Sequence, residues 1–98
     1  MQTQENNSGF DSATWKAQRG ANPVDNSRGQ MLTAVEKRLQ PGMDRSEVTA
    51  LLGEPDLQDT ASGSDVYELG RAEFGVDEEY LELQYAGGKL QSHRLMRR

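Results

Sequence analysis

Apolar residues in this chain follow two rhythms. Across residues 28–53 they recur at helical spacing, whereas across residues 79–86 they alternate one by one with polar residues. The clearest helical stretch is residues 41–55, PGMDRSEVTALLGEP. Asp44 is a good N-cap and Glu47 stands three residues later, the spacing of a capping box in which each side chain satisfies a backbone N–H that the helix leaves unpaired. Met43 and Val48 fall where a hydrophobic staple would fix the approach of the chain. Val48, Leu51 and Leu52 make one apolar stripe. Gly53 can take a positive φ and close the helix, and Pro55 prevents it from restarting. A helix of about two turns does not persist alone in water, so this one must be held by packing.

A second helix is expected over residues 28–39, RGQMLTAVEKRL, with Met31, Leu32, Val35 and Leu39 on one stripe and Glu36, Lys37 and Arg38 on the wet side. Ser27 with Gln30 is another candidate capping box. Pro41 ends this helix at Gln40, so the two helices form a hairpin or corner. Upstream, residues 1–9 read as a disordered polar leader, and residues 10–98 as one domain. In FDSATWK, Asp11 or Ser12 can cap a single turn carrying Trp15. Phe10 and Trp15 are either anchors that tie the leader to the core or a docking peptide for another protein. Residues 20–27 are loop.

After Pro55 the period changes. Residues 56–64 read as loop, and Val66 to Leu69 as a first strand closed by Gly70. Residues 71–78 form a polar loop into which Phe74 and Val76 dip. In residues 79–86, Leu81, Leu83 and Tyr85 share one face, and Tyr80, Glu82 and Gln84 the other. Gly87-Gly88 is a two-residue hairpin turn, and residues 89–96 return as a third strand. Leu90 and Leu95 differ in parity, which calls for a bulge or an end-of-strand twist between them. The expected fold is α+β: two short N-terminal helices packed on one face of a three-stranded antiparallel β-meander.

Charge changes the picture more than size does. Only 34% of the 98 residues are apolar and 28% are charged, so the core is modest. The net charge of −5 is uneven: residues 1–53 are neutral, residues 54–82 carry −9, and residues 83–98 carry +4. An acidic middle argues against a nucleic-acid binder, which needs a basic face for phosphates. It is either a solvated face or a means of steering a basic partner. No apolar run approaches the ~20 residues needed to span a bilayer, and residues 1–9 have no signal-peptide pattern. There are 0 cysteines, which removes disulfides and thiolate chemistry.

Candidate chemistry is sparse. His93 is the one histidine, too few for a catalytic triad or a zinc site. Asp77, Glu78, Glu79 and Glu82 are the densest carboxylates but lack calcium-loop spacing. Glu68 and Glu82 can be cross-strand neighbours, more simply as solvated residues than as a general acid/base pair. The glycines sit at element ends and build no phosphate loop. No catalytic residue, metal or cofactor is therefore assigned. Tyr85 belongs to the core, and Tyr67 is open between the two faces. Tyr80 on the outer face, with Glu82, Gln84, the neighbouring strand's His93 and the residue 71–79 loop, makes the candidate partner-binding surface, the alternative being an ordinary solvated face.

GMDRSEVTALLGEPD, then VYELG, then YLELQYAGGKLQSHRL resembles the small bacterial outer-membrane lipoproteins of the SmpA/OmlA (BamE-like) family. Gly42, Met43, Val48, Leu51, Leu52, Gly53 and Pro55 match its hallmark, with Asp44 in place of the common Thr, one N-cap for another. The resemblance spans about residues 28–96 and implies the fold that β-lactamase inhibitor protein carries twice. It also implies a periplasmic location at the outer membrane, a lipid anchor that this cysteine-free chain does not carry, and no enzymatic activity. The expected function is binding of another envelope protein, within the β-barrel assembly machinery in the best-known members. The alternative is a small-ligand or lipid-binding module with a pocket between helices and sheet, near Trp15.

Overall fold

The computed structural model describes residues 9–71 and 77–97. Three α-helices, α1 (Ser12–Ala17), α2 (Leu32–Arg38) and α3 (Arg45–Leu52), precede four strands, β1 (Leu57–Asp59), β2 (Ser64–Arg71), β3 (Glu78–Ala86) and β4 (Lys89–Arg97). The strands form one antiparallel sheet in the order β1-β2-β3-β4.

The expected two helices and three strands are thus three and four. The Trp15 turn is a helix in its own right, capped by Asp11, whose carboxylate accepts from the Thr14 N–H at 3.1 Å. The predicted helix at residues 28–39 divides into a 3₁₀ turn, Arg28–Met31, and α2. Ser27 makes no side-chain cap there; instead the Asn26 side chain accepts from Arg28 N–H at 2.9 Å. The fourth strand, β1, lies in the stretch read as loop. All three of its residues are exposed, so no apolar alternation announces it, and its ladder with residues 64–66 holds it. The expected inward turn of Phe74 and Val76 falls outside the described residues, as does all of the leader but Gly9.

α3 keeps its predicted form. The capping box is present, with the Glu47 carboxylate accepting from Asp44 N–H at 2.9 Å. Gly53 closes the helix at φ +74. Val48 and Leu52 are buried, and Leu51 and Met43 pack against the same cluster. That cluster also holds Leu81, Leu83, Tyr85 and Leu90 from the sheet and Trp15, Val35 and Leu39 from the helical side. Burying each aliphatic side chain contributes roughly 1.5–3 kcal/mol, which outweighs what a two-turn helix lacks by itself.

Two irregularities decide which side chains face where. In β2 the register shifts at Leu69, and in β4 at Gln91, where Gln84 pairs with Ser92 but Tyr85 with Leu90. Gly87 and Gly88 both have positive φ, the requirement of the predicted hairpin turn. Beyond β4, the link between α2 and α3 acts as a short fifth strand: Leu90 N–H donates to the Met43 carbonyl at 2.8 Å and Gly42 N–H to the Leu90 carbonyl at 2.7 Å. Asp44 and Lys89 complete this bridge and form an ion pair.

Candidate interaction surface

The helices cover one face of the sheet. On the other face the cross-strand pairs fall into rows. Leu57, Val66, Glu82 and Arg94 form one row; on one side of it lie Asp59, Ser64, Gln84 and Ser92, and on the other Glu68, Tyr80 and Met96. Tyr80, Glu82 and Gln84 are thus brought together as expected. The Tyr80 hydroxyl donates to Glu78 at 3.0 Å, Glu82 takes Arg94 Nε at 2.6 Å, and Gln84 accepts from the Ser64 hydroxyl at 2.9 Å while donating to the Ser62 carbonyl.

His93 does not join them. It pairs with Leu83, and its Nδ1 lies 3.6 Å from a Glu36 carboxylate oxygen on α2. The cause is the bulge at Gln91. It resolves the parity conflict between Leu90 and Leu95 by turning His93 and Leu95 to the helix side. Tyr67 is also resolved to that side: it is fully buried and its hydroxyl donates to the Gly53 carbonyl at 2.7 Å.

A shallow concavity of about 420 Å³ crosses all four strands on the outer face, with Leu57, Val66 and Met96 as its apolar residues and Asp59, Ser64 and Glu82 among its polar ones. Leu57 is 49% exposed, one of the few large hydrophobic residues so placed. Sequence reasoning missed this floor because Leu57 belongs to the strand it did not foresee. The parity of Val66 relative to Tyr67 was the available signal.

The space near Trp15, where a ligand pocket was the alternative expectation, is filled by protein. The Arg28 side chain is fully buried between the Trp15 and Tyr67 rings, 5.0 and 5.9 Å from their centroids. Its Nε donates to the Trp15 carbonyl at 2.8 Å and its Nη1 to Asp56 at 2.9 Å. Burial lowers the Arg28 pKa, and Asp56 opposes that shift. Trp15 is therefore an anchor of the core, edge-on to Phe10 at 6.2 Å. Among the described residues no three His, Asp or Glu side chains converge as metal ligands; Glu79 and Glu82 are instead taken up by Arg97 and Arg94.

Residues 33–69, from α2 through β2, match the family model of the outer membrane protein assembly factor BamE domain. The chain is also similar to the outer membrane protein assembly factor BamE of Halomonas elongata, with 37% identity over 70 residues, covering 67% of this chain and 46% of that protein. The chain thus spans about half the length of the curated relative it matches. The matched region contains the capped α3 and the Gly53–Pro55 exit, the same residues that carry the sequence hallmark. In this region the chain is similar to the SmpA/OmlA, BamE-like family.

Proposed function

We propose that this chain is a non-enzymatic interaction domain at the periplasmic face of the outer membrane, where it binds another envelope protein in the assembly or maintenance of outer-membrane proteins. Its contact with the membrane is through a lipid anchor that lies outside this cysteine-free chain. No helix among the described residues is long and apolar enough to cross a membrane. The family supports the location and the role. The observation that carries the reading is the sheet face left uncovered by helices, concave, with the exposed Leu57 over the buried Val66 beside Tyr80, Glu82 and Gln84. Such a face, apolar at its centre and polar at its rim, suits protein contact.

Photo-crosslinking in the periplasm tests it. A photoreactive residue at Tyr80 or Gln84 is expected to give a discrete adduct with one envelope protein, and the Glu82→Lys change to weaken it. The same probe at Thr33 or Ala50, exposed on the helical side, should give none. Equal adducts from both sides, or none from the sheet, would overturn the proposal.

A further inference from the structure

We infer that the outer-face concavity takes a partner segment with one apolar anchor side chain flanked on both sides by lysine or arginine. This rests on the proposed function and adds the chemistry of the partner. The anchor would sit over Leu57, Val66 and Met96, the apolar residues lining the concavity.

The charges place the flanking groups. Asp59 is two residues beyond Leu57 on β1, and Glu68 is two residues beyond Val66 on β2. Because the strands are antiparallel, these acids lie on opposite sides of the Leu57–Val66 pair, each about 7 Å from it along the strands. Neither is in an ion pair among the described residues. Asp59 instead accepts from the N–H groups of Ala61 and Ser62, at 3.1 and 3.2 Å, which fixes the carboxylate without neutralising it. On the other side, Arg94 is already held by Glu82 and Arg97 by Glu79. The face therefore offers uncompensated negative charge at both ends of an apolar centre and balanced charge along β4. An extended segment lying along the strands meets this pattern with bases two residues before and two after its anchor. An anionic lipid surface does not, because Asp59 and Glu68 would repel it.

Three acetylated, amidated peptides, KTLTK, ETLTE and KTSTK, test this against the isotope-labelled full chain by amide NMR titration. KTLTK is expected to move the amide signals of Leu57, Val66, Glu68 and Met96 and to bind at least threefold more tightly than either of the others. Asp59→Lys and Glu68→Lys should each weaken it about threefold, the effect of one exposed charge pair. Leu57→Ser should reduce it to the level of KTSTK. Equal binding of KTLTK and ETLTE overturns the charge pattern. Shifts confined to the helical side, or unaffected by Leu57→Ser, overturn the site. Vesicles of anionic phospholipid that move the same amides would assign the concavity to lipid and overturn the proposal. Crosslinks from Tyr80 to an envelope protein can survive any of these results, so failure here is distinguishable from failure of the broader function.

Discussion

One oxygen of Asp56 holds two separate parts of the molecule, accepting from Arg28 Nη1 at 2.9 Å and from the Glu68 backbone N–H at 2.8 Å. Through Arg28 it reaches Trp15 and α1; through Glu68 it reaches the centre of β2 beside the bulge. A buried ion pair is not by itself a strong source of stability, because both charges lose water. Its loss on one side only is costly, because the other charge stays behind.

Arg28→Met is therefore expected to cost about 3 kcal/mol. Asp56→Asn should cost a similar amount, about 3 kcal/mol, because it leaves the fully buried Arg28 charge without its counter-ion even though the amide oxygen can still accept from Glu68 N–H. Urea unfolding followed by the fluorescence of Trp15, the 1 tryptophan of the chain, measures both. An Arg28→Met variant within about 0.5 kcal/mol of the parent would show that the aromatic sandwich carries the site without the charge.

Two glycines with positive φ should respond differently to alanine. At Gly70, φ is +99 and a Cβ would meet the Pro23 carbonyl oxygen at 2.8 Å and that of Asn26 at 2.9 Å. Both backbone strain and displacement of the loop follow, at a cost of about 2–4 kcal/mol. At Gly87, φ is +59 and nothing lies within 4 Å of the added carbon, so only the strain remains, about 1 kcal/mol. Thermal unfolding of the two variants side by side reads the difference, and equal losses would contradict the close approach at Gly70.

Alkaline pH should unfold the chain through its buried phenols. Burial pushes the Tyr85 hydroxyl up to about 12 from its ordinary value of 10.0, and it raises Tyr67 as well. In the unfolded chain both ionise near 10, so the folded state holds their protons longer. Their contribution is thus complete below pH about 10 and is lost as pH rises from there to about 12, on the order of 2 kcal/mol for Tyr85. Unfolding free energies at pH 9 and 11, for the parent and a Tyr67→Phe/Tyr85→Phe double variant, check the sign. The double variant should lose less on going to the higher pH.

What could be read in the sequence was local and periodic. Asp44, Glu47 and Gly53 announce α3 because capping and chain reversal depend on near neighbours, and Leu81, Leu83 and Tyr85 announce β3 because alternation does. What could not be read depends on distant partners. β1 is a strand because β2 lies beside it, not because of its own side chains. Arg28 reads as a wet residue opening a helix until Trp15, Tyr67 and Asp56 close around it. Of the site, Tyr80, Glu82 and Gln84 followed from parity within one strand, whereas His93 was misplaced by a one-residue bulge and Leu57 was hidden in an unforeseen strand.

The Gly42–Asp44 segment laid along β4 covers only the first residues of that strand. The remainder runs to Arg97 as the rim of the sheet, in a stretch that holds four bases and no acid from residue 83 onward. Charged side chains along an open edge blunt pairing with a second strand, so the arginines that steady Glu79 and Glu82 also discourage two molecules from zipping together there.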